Sequence, residues 1–180
     1  MNPNYCFVPM TQEYATEMVH TWKYAGEYAI YDSDKEADHL LDSEGWGRGI
    51  FAVLNPAGDF IGEVSVEFYD AQENCTEYTE YGNEALINQR ELWIGFGLRP
   101  DLVGGGHGSE FVAAAVEFAV RQCRYHGDYA HLGVAQFNQR AIKAYQKAGF
   151  EIYDQTTGAI GAETFECFYM RKKLREASEE

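Results

Sequence analysis

A cluster of glycines precedes a segment with helical spacing in the second half of the chain. These glycines are Gly104, Gly105, Gly106 and Gly108, and they follow a run of strand-forming residues. Glycine tolerates positive φ and leaves the backbone N–H groups unobstructed. At the start of a helix these N–H groups have no partner within the helix, and the helix dipole favours a negative charge. Residues 103–109 therefore predict a cradle for a phosphate group.

The spacing of these glycines excludes two common nucleotide-binding motifs. The loop of nucleoside triphosphatases requires Gly-Lys-Ser/Thr, whereas Gly106 is followed by His107 and Gly108. A dinucleotide fingerprint that starts at Gly104 requires glycine at its sixth position, where the chain has Ser109. A purely structural turn accounts for one or two glycines but poorly for four. The turn therefore favours a phosphate-bearing ligand of another class.

Two more glycines, Gly95 and Gly97, interrupt the strand that is predicted before this turn, at residues 92–98. Glycine weakens a strand and usually marks a bulge or a ligand pressed against the backbone. A pantetheine arm, which carries amide groups, can pair with such an opened strand edge through backbone hydrogen bonds. The strand is thus independent support for a ligand at the turn.

These residues resemble the cofactor motif of the GNAT superfamily of N-acetyltransferases. In that motif a strand and a proline precede Arg/Gln-x-x-Gly-x-Gly/Ala at a helix start, and here Gly106 and Gly108 occupy the two small-residue positions. The family's second motif is similar to residues 138–150, in which Asn138 and Tyr145 stand at matching positions. The order of predicted strands and helices also follows the family over nearly the whole chain.

The chain departs from the first motif at three positions. Val103 stands where a basic residue or glutamine is usual, Gly105 where Lys or Arg is frequent, and His107 where an aliphatic residue is usual. Pyrophosphate binding would then depend on backbone N–H groups and the helix dipole. His107 either turns into the core as a neutral residue or supplies positive charge near neutral pH.

The resemblance implies that acetyl-CoA is the co-substrate and that a defined set of residues contacts it. These residues are Gly97, Leu98, Val103, Gly104, Gly105, Gly106, His107, Gly108, Ser109, Asn138 and Tyr145. It also implies that Tyr145 points at the sulfur of CoA. The residues alone leave an alternative open, in which Asn138 is the N-cap of a helix and Tyr145 is a core aromatic.

The implied reaction is direct attack of an amine on the acetyl thioester in a ternary complex, without an acyl-enzyme. A main-chain N–H near Leu98 would polarise the carbonyl, and Tyr145 would act as the general acid for the departing thiolate. We expect Glu63 to be the general base, with Glu67 and Glu91 as alternatives, since all three lie on predicted strands or next to them.

The acceptor is expected to be a primary amine, with a small molecule favoured. Residues 22–31 fall where the family's acceptor site lies. Tyr24, Tyr28, Tyr31 and Glu27 in this segment suit a cationic amine. They equally suit a helix that packs its aromatics into the core.

Two other functions stay open. One is N-terminal or lysine acetylation of proteins, for which the acidic segment 70–89, read as an insertion or long hairpin loop, could grip a peptide. The same segment could instead wall off a small pocket. The other function is a regulatory module that binds acyl-CoA without turnover.

The composition favours a cytoplasmic protein. A formal net charge of −15 and a pI near 4.6 should repel phosphate backbones and anionic lipid, so we expect no nucleic-acid and no membrane partner. The four cysteines are far apart and predict reduced thiols and no metal site. We see neither a signal-peptide pattern nor an apolar run long enough for a membrane span. The protein could also form a homodimer.

Alternating strand and helix patterns predict a mixed α/β domain. The predicted strands are residues 5–9, 50–54, 60–69, 92–98, 129–134, 150–156 and 164–171, and the predicted helices are residues 12–22, 34–41, 109–122 and 138–148. The resemblance implies a GNAT-like central mixed sheet of about six to seven strands flanked by about four helices. We expect one domain over residues 1–175 and a polar tail over residues 176–180.

Overall fold

The chain folds into alternating strands and helices, and the computed structural model describes residues 2, 4–160 and 163–174. The strands in this range are β1 (Cys6–Pro9), β2 (Ile50–Leu54), β3 (Phe60–Tyr69), β4 (Glu91–Leu98), β5 (Tyr129–Ala135), β6 (Glu151–Ile160) and β7 (Glu163–Lys173). The α-helices are α1 (Gln12–Thr21), α2 (Ala37–Leu40), α3 (Glu84–Ile87), α4 (Gly108–Gln122) and α5 (Gln139–Lys147). Short 3-10 helices span Gly26–Tyr31, Ser33–Glu36, Tyr78–Glu80 and Pro100–Leu102. Each predicted strand and helix overlaps one of these elements.

Within the described residues, the strands form one seven-stranded sheet in the order β1-β2-β3-β4-β5-β7-β6. Neighbouring strands are antiparallel, except that β4 and β5 are parallel. The predicted α/β class with a central mixed sheet is therefore confirmed. No helix in the described part of the chain is long and apolar enough to cross a membrane. The tail predicted at 176–180 lies outside the described residues, and the single domain over residues 1–175 stays a prediction.

Alternation along β3 divides the sheet into a core face and an opposite face. Val64, Val66 and Phe68 are fully buried and belong to the main hydrophobic core. The glutamates and the serine between them point to the opposite face, because successive side chains of a strand alternate. On the core face, α4 contributes an apolar stripe that includes Phe111 and Ala115. The period of two that was predicted for this strand is confirmed.

The parallel strands β4 and β5 are joined over a short stretch. They pair at Leu92 with Ala130 and at Trp93 with His131, and they separate beyond these residues. An unpaired strand edge exposes backbone N–H and C=O groups that a ligand can bind. Since α4 begins shortly after the end of β4 at Leu98, the N-terminus of α4 lies at the same gap.

Residues 70–89, predicted as an insertion or long loop, pack against the core. They contain α3, and Tyr81 and Ile87 are buried. The hydroxyl of Tyr81 donates a hydrogen bond to the carbonyl oxygen of Val66 at 2.9 Å. The expectation that this segment walls off a pocket is wrong, because none of residues 70–89, all of which are described, lines the main cavity.

Gly62 on β3 sets how closely α4 packs onto the sheet. A Cβ at this position would lie 2.7 Å from the ring of Phe111 and 3.0 Å from the carbonyl oxygen of Gly97. We expect Gly62→Ala to destabilise the protein by about 1–3 kcal/mol, because the helix or the strand must shift. Gly82→Ala is the matched control, since nothing lies within 4 Å of a Cβ there. Chemical unfolding of both variants checks this, and equal free energies of unfolding would contradict it.

Candidate active site

A cavity of about 1010 Å³ opens where β4 and β5 separate. Most of the predicted site residues line it. They are Glu63, Gly97, Leu98, Val103, Gly104, Gly106, Gly108, Ser109, Asn138 and Tyr145. Gly105 and His107, which complete the predicted cofactor set, are not among the lining residues. Ligand pockets usually measure about 300–1,000 Å³, so this cavity has room for two reactants.

The glycine turn has the open backbone that a phosphate cradle requires. Gly104 and Gly106 have φ values of 88° and 87°, and no atom lies within 4 Å of a Cβ built at either position. The first N–H groups of α4, a helix of 15 residues, have no acceptor within the helix. A Cβ on Gly108 would lie 3.2 Å from the Cβ of Ala144, so α5 passes close to the cradle. The turn therefore fits a pyrophosphate group.

His107 lies beside the cradle and is exposed. The alternative in which His107 turns into the core is therefore wrong, because residues 104–107 are all exposed. A Cβ on Gly105 would lie 3.2 Å from Cδ2 of His107, so the imidazole lies over that part of the turn. Val103 lines the cavity without bringing a charge. Contact of His107 with pyrophosphate stays a prediction.

The edge of β4 presents a backbone N–H to the cavity at Leu98. The N–H of Arg99, which follows β4, donates to the carbonyl oxygen of Ile61 on β3 at 2.9 Å. Because successive N–H groups of a strand point in opposite directions, the N–H of Leu98 points away from β3 and into the gap. The carbonyl oxygen of Leu98 accepts a hydrogen bond from the hydroxyl of Tyr24 at 2.8 Å. A donor is thus present where the prediction requires one.

Tyr145 on α5 is half-buried and lines the cavity. The centroid of its ring lies 5.7 Å from that of Phe96 and 6.2 Å from that of Phe150. Burial raises the pKa of Tyr145 well above its ordinary value, and the neighbouring Tyr31 and Tyr24 raise it further. The hydroxyl is therefore protonated throughout the neutral pH range. The ring of Tyr145 packs at the edge of the core, as the core-aromatic alternative requires, and the residue also lines the cavity. A contact between Tyr145 and the sulfur of CoA stays a prediction.

Asn138 is the N-cap of α5. Its Oδ1 accepts a hydrogen bond from the N–H of Ala141 at 3.2 Å, which satisfies one of the first N–H groups of the helix. The same residue lines the cavity. The capping alternative is therefore confirmed, and a contact between Asn138 and CoA stays a prediction.

Of the three candidate bases, Glu63 has the most suitable position. It is 7% exposed and lies opposite Gly97, where a Cβ would be 3.3 Å from Oε2 of Glu63. Glu67 also lines the cavity, but its carboxylate accepts a hydrogen bond from the hydroxyl of Tyr69 at 3.0 Å. Glu91 is exposed and outside the cavity lining, because it lies at the far end of β4. Glu91 is therefore excluded as the base.

The tyrosines of residues 22–31 form part of the cavity wall. They are Tyr24, Tyr28 and Tyr31. Burial raises the pKa of Tyr24, and the nearby carboxylates of Glu63 and Asp32 raise it further. Glu27, which was grouped with these tyrosines, is exposed and does not line the cavity.

Sequence reasoning missed two groups of charged residues that line the cavity. The acidic group is Asp32, Asp34 and Asp38, and the basic group on α5 is Arg140, Lys143 and Lys147. Lys35 also lines the cavity, among the acidic residues, and pairs with Glu163 at 3.1 Å. The acidic residues lie in short, irregular helical turns, so no simple spacing marks them. The basic residues repeat at i, i+3 and i+7, which is a helical spacing that could have identified one side of α5.

Comparison with known proteins identifies the family. The family model described as an acetyltransferase (GNAT) domain matches residues 6–151. No curated protein matches the chain significantly.

Solved structures with a similar fold share little sequence with this chain. The structure of AAC(6')-Ib in complex with ribostamycin and coenzyme A has a TM-score of 0.64 at 19% identity, over 98% of this chain and 99% of that chain. A chimera of the spermidine N-acetyltransferase SpeG from Vibrio cholerae with hSSAT has a TM-score of 0.61 at 14% identity, over 94% and 95%. A GNAT-family acetyltransferase from Bacillus anthracis has a TM-score of 0.62 at 11% identity, over 96% of each chain. At such identities the likeness shows the fold alone.

The match to the family model includes the glycine turn and the strand before it. The open turn and the unpaired edge of β4 fit the phosphates and the pantetheine arm of coenzyme A. The predicted resemblance and the predicted co-substrate are both confirmed. This chain belongs to the GNAT family of acetyltransferases, and its co-substrate is acetyl-CoA.

Proposed function

We propose that the protein is an N-acetyltransferase that moves the acetyl group of acetyl-CoA to a primary amine of a small cationic molecule. The observation that carries this proposal is the division of one cavity between a phosphate cradle and a wall of carboxylates and tyrosines. The donor is an anion and the acceptor is a cation, so each is attracted to a different part of that surface.

The acyl donor binds along the unpaired edge of β4. The N–H of Leu98 donates a hydrogen bond to the thioester carbonyl oxygen, which gains negative charge as the amine attacks. Gly97 leaves the backbone accessible because it has no side chain. The N–H groups of the glycine turn and of the first turn of α4 bind the pyrophosphate.

Glu63 and Tyr145 carry out the two proton transfers. Glu63 accepts, through a water molecule, the proton that the amine loses as the carbon–nitrogen bond forms. When the carbon–sulfur bond breaks, its electron pair leaves with the sulfur, and Tyr145 donates its hydroxyl proton to that sulfur. Solvent then returns a proton to the phenolate of Tyr145. Burial raises the pKa of Tyr145, so the hydroxyl stays protonated at the pH at which free amine is available and gives up its proton only when negative charge develops on the sulfur.

The acceptor wall favours an amine that carries positive charge. Asp32, Glu63 and Glu67 line the cavity together with tyrosine rings, whose faces attract cations. Spermidine and ribostamycin, named with two of the structurally similar proteins, are both amines, which supports the same class of acceptor here.

A thiol-release assay over amines and peptides tests this function. With acetyl-CoA as donor, small di- and polyamines should release CoA, and mass spectrometry should find one acetyl group on a primary amine. Turnover with peptides alone would favour acetylation of protein N-termini or lysines. Binding of acetyl-CoA without turnover of any acceptor would favour a regulatory module. A cytoplasmic location and a homodimer stay predictions.

Gly106→Val tests the cradle. The φ of 87° at Gly106 disfavours a β-branched residue, and its side chain would project into the open space that the pyrophosphate needs. We expect the affinity for acetyl-CoA to fall by about tenfold or more, because close approach to the backbone N–H groups is lost. Calorimetric titration measures this.

Gly58→Val is the matched control for Gly106→Val. Gly58 has a φ of 89°, equally open surroundings and a position in the turn between β2 and β3, outside the cavity lining. Both variants should lose similar stability, whereas Gly58→Val should bind acetyl-CoA like the wild type. Equal affinities in the two variants would count against the cradle.

Tyr145→Phe tests the general acid. The variant keeps the ring and loses the hydroxyl, so kcat should fall by about 10²-fold while the KM for acetyl-CoA changes little. Stability should fall by no more than about 1–3 kcal/mol. Tyr81→Phe is the control, because Tyr81 donates a buried hydrogen bond to Val66 and should lose stability with turnover intact. Full activity of Tyr145→Phe would remove Tyr145 from the mechanism.

Glu63→Gln tests the general base. At neutral pH, kcat/KM for the amine should fall by about 10²-fold, because water must then take the proton. The loss should shrink as pH rises, since hydroxide can then take the proton in place of Glu63. Glu91→Gln, which changes an exposed carboxylate outside the cavity, should keep the wild-type pH profile. A pH-independent loss in Glu63→Gln would point to a structural role instead.

A further inference from the structure

One side of α5 presents a row of basic side chains to the cavity. Arg140, Lys143 and Lys147 line it with the spacing i, i+3 and i+7. Residues three and four apart are neighbours on a helix surface, and the rise of about 1.5 Å per residue puts Lys143 and Lys147 about 6 Å apart along the axis. Two long, flexible side chains at this separation can reach one anionic group.

These cations have no acidic partner among the described residues, although the chain has 29 Asp and Glu against 14 Lys and Arg. Other basic side chains do pair with acids. Lys23, for example, lies 2.6 Å from Asp34, and Arg171 lies 3.0 Å from Glu151. Positive charge that faces a cavity without a neighbouring carboxylate favours an anionic ligand.

Lys143 and Lys147 flank the phosphate cradle, whereas Arg140 belongs to the opposite part of the cavity. Ala144, next to Lys143 and one turn before Lys147, approaches the start of α4, where a Cβ on Gly108 would lie 3.2 Å from the Cβ of Ala144. The guanidinium carbon of Arg140 lies 3.8 Å from the centre of the Tyr28 ring, in the acceptor wall. Lys35, the other lysine in the lining, pairs with Glu163 at 3.1 Å, so the two lysines of α5 are the ones available to the donor.

Coenzyme A carries a pyrophosphate within its chain and a phosphomonoester on the 3′ carbon of its ribose. The pyrophosphate suits the backbone N–H groups of the cradle, where Val103 brings no charge. The phosphomonoester lies at the end of the ligand remote from the thioester and carries close to two negative charges at neutral pH. Lysine ammonium groups, which are point charges on flexible stems, suit such a terminal group. Both Lys143 and Lys147 are exposed at the cavity rim.

We propose that Lys143 and Lys147 bind the 3′-phosphate of acetyl-CoA and so make the protein prefer acetyl-CoA to its 3′-dephospho form. This inference rests on the proposed binding of the pyrophosphate in the glycine cradle. It also explains how the donor finds positive charge although Val103 and Gly105 lack the side chains that could supply it.

Calorimetric titration with acetyl-CoA and with 3′-dephospho-acetyl-CoA isolates the contribution of this phosphate. The wild type should bind acetyl-CoA about tenfold or more tightly than the dephospho form, because charge-assisted hydrogen bonds to phosphate are strong. Lys143→Gln/Lys147→Gln should lose most of that preference by weakening acetyl-CoA binding alone. Lys143→Arg/Lys147→Arg should retain it, since the charge is conserved. The preference should also shrink as salt increases.

Lys173→Gln is the matched control, because Lys173 is an exposed lysine of β7 outside the cavity lining and should leave the preference unchanged. Melting temperatures without ligand should agree among all variants, since the lysines are exposed.

Two results would overturn the assignment. Equal weakening of both ligands in Lys143→Gln/Lys147→Gln would mean that the lysines contact another part of the donor, and unchanged affinities would mean that they contact none of it. Failure of the proposed function has a different signature. The wild type would then prefer acetyl-CoA and the double glutamine variant would lose this preference, yet no amine would be acetylated.

Discussion

Backbone N–H and C=O groups need partners, and beyond Trp93 the edge of β4 that faces β5 leaves such groups open to a ligand. The pairing of β4 with β3 runs along the whole strand, and β5 pairs along its whole length with β7. β4 and β5 are therefore each held by a complete hydrogen-bond ladder on the side that faces away from the other strand. The parallel pairing between them covers Leu92 and Trp93, and the gap beyond cannot close without breaking one of the outer ladders.

The other parts of the site follow from this gap. The chain leaves β4 at Leu98 and begins α4 at Gly108, so the unsatisfied N–H groups of the helix lie next to the open strand edge. Gly62 lets Phe111 pack closely on β3, which holds α4 in that position. The charge of the cavity wall is then divided by element, because the charged lining residues of α5 are all basic, whereas those of β3 and of residues 32–38 are acidic apart from Lys35, which pairs with Glu163. One opening thereby offers basic residues to the anionic donor and acidic residues to the cationic acceptor that we propose.

Features that depend on local chemistry could be predicted from the sequence. The open turn at Gly104 and Gly106 and the cap at Asn138 each need a few neighbouring residues. Features that depend on packing could not. Glu91 was a candidate base because it begins a strand, but the antiparallel register puts it at the opposite end of β4 from the gap. The basic side of α5 faces the cavity because α5 packs against α4, as the closeness of Ala144 to Gly108 shows, and this packing exists only in the folded chain.

The central claim is that acetyl-CoA occupies the gap between β4 and β5, with its backbone contacts at Leu98 and in the glycine turn. Hydrogen–deuterium exchange with and without acetyl-CoA tests this most directly, because it reports on individual backbone N–H groups. The account predicts new protection at residues 96–98 and 104–110, with unchanged exchange in residues 70–89. Protection confined to other segments, or the same exchange with and without acetyl-CoA at saturating concentration, would contradict it.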